Sequence, residues 1–198
     1  MKTALIASAG LLAYGAYLLS TQEQGAVIDF TPAGNDNTGN TNNGLTATEG
    51  ILSNISTGFK NMLSNWKDKL ETTGKPYKAA FAAAEAKHGL PHNMLARLAW
   101  QESRYNPNAY NISGATGLMQ IVPKWHPTVN PKDPYASIDY AGKFLASLYK
   151  STGTWELALK SYNWGLGNVQ KWLRGKLKEP LETKLYSAQI LSDLTQVA

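Results

Sequence analysis

The stretch Met94-Leu95-Ala96-Arg97-Leu98-Ala99-Trp100-Gln101-Glu102-Ser103 leads through Asn106-Pro107 to Gly114-Ala115-Thr116-Gly117-Leu118-Met119-Gln120. Its first ten residues decide how the rest is read. Met94, Leu95, Leu98 and Ala99 recur at steps that place them on one face of a helix, and Glu102 continues that stripe. A carboxylate on an apolar stripe is expected to be buried or to line a cleft. Desolvation there raises its pKa, which keeps it protonated near neutral pH and able to donate a proton. The other readings are a surface acid at a helix end, or a buried acid satisfied by Arg97 or Arg104.

Outward from this helix the pattern is one of short helices broken by Gly, Pro and Asn. Tyr77 to His88 is Ala-rich and stops at Gly89. The next helix is predicted to start near Pro91, with the proline in the first turn. After Gln120 come Asp133-Pro134 and a helical stretch through Ile138, Gly142 and Leu145, then Tyr162-Asn163-Trp164-Gly165. Gly117 is expected to let the backbone approach a ligand closely. Between Glu102 and Asp133 there is no acid, so a second catalytic carboxylate close in sequence is missing.

Composition narrows the chemistry. The 198 residues suffice for one domain with extensions. Cysteine is absent and only three histidines occur (His88, His92, His126), which excludes a disulfide scaffold and thiolate metal sites and argues against a histidine metal centre. No cofactor or metal is expected. His92 and His126 read as structural. Residues 1–49 hold one base and four acids, while residues 50–198 hold 18 bases and 10 acids. A basic body of net +8 behind an acidic neck of net −3 suits an anionic partner such as lipid headgroups or wall polymer. The bases are scattered singly, so nucleic acid is not an expected partner.

Thr3 to Leu19 carries no charge and reads as a membrane anchor over residues 1–20, about 25 Å of helix, with Lys2 holding the amino terminus in the cytoplasm. A cleaved secretory signal is the competing reading. Residues 21–48 are an Asn/Gly/Thr-rich linker. Over 49–75, Ile51, Leu52, Ile55, Phe59, Met62, Leu63, Trp66 and Leu70 form an amphipathic stripe that either lies in a membrane interface or packs on the body. Residues 176–198 show another stripe, Leu181, Leu185, Ala188, Leu191 and Leu194, expected to pack on the body.

Over residues 76–175 the chain resembles the lysozyme-like lytic transglycosylases of the soluble-lytic-transglycosylase catalytic domain. Three motifs carry the resemblance in order: Glu102-Ser103, Gly117-Leu118-Met119-Gln120 and Tyr162-Asn163-Trp164-Gly165. Pro123 to His126, Trp164 and Ser161 depart from the family pattern in ways that concern the substrate groove. The resemblance implies a mainly α, lysozyme-like fold of the α+β superfamily. It implies cleavage of the β-1,4 bond between N-acetylmuramic acid and N-acetylglucosamine in peptidoglycan, leaving 1,6-anhydro ends. Glu102 would be the general acid and then the base, with Tyr162 orienting it. Gln120 and Asn163 would bind sugar amides or hydroxyls, and Met119 and Gly117 would line the groove. Ser103 would either bond near the sugar or cap the helix. Trp125 and Trp164 are the aromatic residues expected near the groove. A goose-type lysozyme, acting by hydrolysis, and a non-catalytic wall-binding protein are the alternatives. The tether suggests local lysis outside the cytoplasm by an envelope or virion protein, serving phage entry or a secretion machine, with virion or secretion proteins as partners.

Overall fold

The computed structural model describes residues 65–195. The expected anchor (1–20), the linker (21–48) and the first part of the amphipathic segment lie outside the described residues. The described residues form seven α-helices: α1 Trp66–Leu70, α2 Lys78–His88, α3 Met94–Ser103, α4 Pro134–Thr152, α5 Trp155–Trp164, α6 Leu166–Leu173 and α7 Leu181–Thr195. No strand forms among the described residues. The loop after α3 carries only isolated antiparallel bridges, Tyr110 with Thr116 and Thr116 with Ile121. The mainly helical expectation therefore holds. None of these helices is long and apolar enough to cross a membrane.

The helix read first is the centre of the molecule. Every residue of α3 from Met94 to Glu102 is buried. Around it, α4 packs on α2 and α5, and α7 packs on α5 and α3. Phe81, Leu95, Leu98, Leu145, Leu159 and Ile190 meet in the shared core. Trp66 and Leu70 belong to the same core, and the Tyr105 hydroxyl donates to the Trp66 carbonyl at 3.4 Å. The end of the amphipathic segment that the structure describes thus packs on the body.

Two sequence expectations need correction. Helix α3 starts at Met94, not near Pro91, because Asn93 takes a left-handed conformation (φ 65°) that breaks the helical run. Its free N–H groups are capped from another helix: Glu85 of α2, buried, accepts from Asn93 N at 2.9 Å and Leu95 N at 2.8 Å. The second correction concerns α7. Of the expected stripe, Leu191 and Leu194 pack against the core, while Leu181 is exposed and the most buried positions are Thr183, Tyr186, Ser187, Gln189 and Ile190. Polar residues can occupy a buried face when bonded, and Thr183 Oγ1 donates to Asn163 Oδ1 at 2.9 Å.

Helix α4 begins as its sequence suggests. Asp133 accepts from the N–H groups of Tyr135 and Ala136, and Pro134 takes the first turn. Ahead of it, Gly117 (φ 78°) permits a close approach, but to protein and not to an open groove. A Cβ there would lie 1.9 Å from the Pro131 carbonyl oxygen. Gly114 (φ 89°) has the same handedness with nothing within 4 Å of such a Cβ. Gly114→Ala should therefore cost about 1 kcal/mol of backbone strain, and Gly117→Ala about 3 kcal/mol or more, since overlap is added. Thermal unfolding of the two variants checks this; equal losses would show that the Pro131 contact constrains nothing.

Candidate active site

Glu102 sits at the last turn of α3, fully buried. Its Oε1 accepts a hydrogen bond from the Tyr186 hydroxyl, delivered by α7. Its Oε2 is buried without a protein partner among the described residues. Neither arginine considered for it neutralises it. Arg97 Nε donates to Asp193 Oδ2 at 2.6 Å and Nη1 to Gln101 Oε1 at 3.0 Å. The Arg104 guanidinium lies over the Trp100 ring, 4.5 Å from its centroid. Burial therefore dominates and pushes the Glu102 pKa up to about 8. The Tyr186 hydrogen bond works in the opposite direction, and the charge of Glu182, in the first turn of α7, adds to the rise.

The structure gathers the motif residues around this carboxyl by hydrogen bonds to one loop. Ser103 Oγ donates to the Leu118 carbonyl at 2.8 Å. The buried Tyr162 hydroxyl donates to the Met119 carbonyl at 3.0 Å. Two side chains from different helices thus hold consecutive carbonyls of the Gly-Leu-Met-Gln loop. Gln120 closes the loop from within. It is fully buried in a left-handed conformation (φ 49°), and its Nε2 donates to the carbonyls of Gly117 at 3.0 Å and Ala109 at 3.3 Å.

These contacts revise the expected roles. Tyr162 lies close enough for the Glu102 charge to add to burial in raising its phenol well above the ordinary range. Its hydroxyl nevertheless goes to Met119, and the hydroxyl on Glu102 is that of Tyr186. Gln120 gives its Nε2 donors to the loop, while its Oε1 is buried without a partner among the described residues. Asn163 is buried and accepts from Thr183. Ser103 binds the loop and, at 3.2 Å, the Ala99 carbonyl of its own helix. Trp125 and Trp164 are both half-buried. His126 is buried with Nδ1 2.7 Å from the Tyr140 hydroxyl, and His92 stands exposed 3.8 Å from Glu85.

Sequence reasoning misses Tyr186, Glu182 and the Arg97–Asp193 pair. All three involve α7, whose leucine stripe includes only part of the face it packs on the body. The usable signal is the 183/186/187/190 spacing, which is helical but written mostly in polar letters. Arg97 is fully buried, so Asp193 fixes α7 against α3; leaving that guanidinium unpaired would cost about 3–5 kcal/mol.

Comparisons with known proteins place the chain in a family. Residues 79–183, just over half of the chain, match the family described as Transglycosylase SLT domain. The chain belongs to that family. It is also similar to proteins named membrane-bound lytic murein transglycosylase F. The Shewanella pealeana protein is 37% identical over 105 residues, 48% of this chain and 21% of its own length. The Shewanella halifaxensis protein is 40% identical over 87 residues, 38% and 18% of the two chains. Membrane-bound lytic murein transglycosylase F 2 of Alkalilimnicola ehrlichii is 32% identical over 113 residues, 52% and 25%. The chain thus spans about a quarter or less of the relatives it matches. The SLT match ends at residue 183, before Tyr186 and Asp193.

A raised acid pKa has a definite stability sign. The folded state holds the Glu102 proton up to about pH 8, whereas the unfolded chain releases it near the ordinary carboxyl value of 4.5. Protonation thus favours the fold fully below the unfolded value, and this contribution is lost as pH rises towards 8. The slope is about 1.4 kcal/mol per pH unit. Glu102→Gln removes the titration, so the variant should gain stability relative to wild type between pH 5 and about pH 8. Denaturant unfolding across that range checks it; a constant difference would mean Glu102 titrates normally.

Proposed function

We propose that this lysozyme-like domain is a peptidoglycan lytic transglycosylase, cleaving the N-acetylmuramic acid to N-acetylglucosamine β-1,4 bond to leave 1,6-anhydro ends. The observation that carries the proposal is a fully buried carboxyl pushed up to about 8 and held by a tyrosine in a family whose name is transglycosylase. Protonated at neutral pH, Glu102 donates its proton to the glycosidic oxygen as the bond breaks. The sugar's 2-acetamido carbonyl stabilises the cationic carbon. Glu102, now ionised and better bonded by Tyr186, takes the proton of the muramyl 6-hydroxyl as that oxygen closes on the carbon. The donated proton leaves on the N-acetylglucosamine hydroxyl, the 6-hydroxyl proton restores the Glu102 carboxyl, and no water is consumed. The Ser103 and Tyr162 contacts keep the Leu118–Met119 backbone beside this chemistry.

Glu182 favours one second reading. A further carboxylate near Glu102 could position a water, as a hydrolysing muramidase would require. Mass analysis of muropeptides released by the full chain separates the two. Anhydro ends support the transglycosylase, and reducing ends the hydrolase. Glu102→Gln should lower release by at least a hundredfold on either reading; undiminished lysis would sink both.

The pH profile tests the tyrosine. Activity needing protonated Glu102 should fall above pH 8. Tyr186→Phe removes a bond that favours the ionised form, so its alkaline limb should move to higher pH while its maximal rate drops. An unmoved limb would mean that Tyr186 does not govern the Glu102 proton.

The delivery reading rests on sequence. An uncharged segment at 3–19 and an Asn/Gly/Thr-rich stretch before the domain support a membrane-tethered enzyme working outside the cytoplasm. We further propose local wall opening, by a virion or secretion machine, as its setting. Localisation of the tagged chain tests this; an even distribution through the envelope of uninfected cells would contradict it.

A further inference from the structure

The segment joining α6 to α7 carries a surface that the proposed chemistry does not use. Within nine residues Leu173, Leu177 and Leu181 are 56%, 41% and 69% exposed. Lys171, Arg174, Lys176, Lys178 and Lys184 are interleaved with them, all exposed. None of these five bases forms a salt bridge among the described residues. The acids of the segment are turned to other work. Glu179 pairs with the buried Lys160 at 2.7 Å, and Glu182 lies near Glu102.

The segment is also held in place. Gly175 ends α6 in a left-handed conformation (φ 70°), and Lys176 N donates back to the Lys171 carbonyl at 2.8 Å. Lys160, reaching from α5, lies over the Trp172 ring at 4.7 Å while binding Glu179. Leucines exposed on a fastened segment, with unpaired cations between them, are unlike an ordinary solvated loop. Apolar tips that enter the acyl boundary while long basic side chains reach phosphates match the two zones of a bilayer surface.

We propose that residues 171–184 form a second membrane contact, docking the domain on an anionic lipid surface through Leu173, Leu177 and Leu181. The charge decides between occupants. A neutral apolar partner would leave five cations unmatched, and an anionic polysaccharide would leave three leucines in water. Of these three occupants an anionic bilayer satisfies both. Each base near such a surface contributes roughly a fivefold factor to partitioning, so the contact depends strongly on salt. This inference does not rest on the catalytic reading. It also differs from the expected anchor at 1–20, because it sets the orientation of the domain as well as its tether.

The test uses the full chain, which contains no cysteine. A single cysteine replaces Leu177 and is labelled with an environment-sensitive fluorophore; a control label replaces Ser151, an exposed position on α4. Vesicles are pure phosphatidylcholine or an equimolar mixture with phosphatidylglycerol. The label at 177 should brighten and shift to the blue on mixed vesicles, lose the response in high salt, and respond little to the neutral ones. The label at 151 should stay unchanged. Changing Lys171, Arg174, Lys176 and Lys178 together to Gln should reduce the response at 177 at least tenfold. The proposal is overturned by a silent label at 177 on mixed vesicles, by equal responses at 177 and 151, or by a response to soluble glycan strands and not to vesicles. Circular dichroism matching wild type establishes that the labelled chains are folded.

Discussion

A single carboxyl group is kept out of water, and much of the structure follows from that constraint. Glu102 lies in the last turn of a helix that is buried from Met94 to Glu102, and among the described residues no cation neutralises it. An ionised carboxylate in such a place would be costly, so the group keeps its proton. The Tyr186 hydroxyl tempers this by favouring the charged form. The result is an acid poised near neutrality, able both to give a proton and to take one back.

Keeping that carboxyl dry requires α7, and α7 is fastened in two places. Arg97 binds Asp193 near its end, and Asn163 binds Thr183 near its start. Tyr186 lies between these two fixed points. The Gly-Leu-Met-Gln loop is held by a different device, side-chain donors on backbone carbonyls from Ser103 and Tyr162. Strained residues cluster at the same place. Arg104, Tyr105 and Gln120 all have positive φ without being glycine, which only a well-fixed surround can sustain.

Much of this was legible in the sequence, because periodicity reports burial directly. The stripe from Met94 through Glu102 predicts an acid that is buried or lines a cleft, and Glu102 is fully buried. Asp133-Pro134 predicts a helix start, and α4 starts there. What escaped reading involves partners distant in the chain. Nothing local to Tyr186 shows that its hydroxyl meets residue 102, and nothing local to Glu85 shows that it caps α3 eight residues on. The leucines of α7 locate only part of its buried face: Leu191 and Leu194 pack on the core, but Thr183 and Ser187 are buried as well, and apolarity does not mark them. Gly117 reads as a residue that approaches a ligand, yet its close approach is to Pro131, and sequence cannot tell the two apart.

The central claim is that Glu102 carries a proton at neutral pH. Infrared difference spectroscopy of wild type against Glu102→Gln at pH 7 measures this most directly, through the carbonyl stretch of a protonated carboxyl. The account predicts a protonated-carboxyl band that is absent from the variant and disappears as pH passes about 8. A carboxylate band already present at pH 7, with no protonated band lost on substitution, would contradict it.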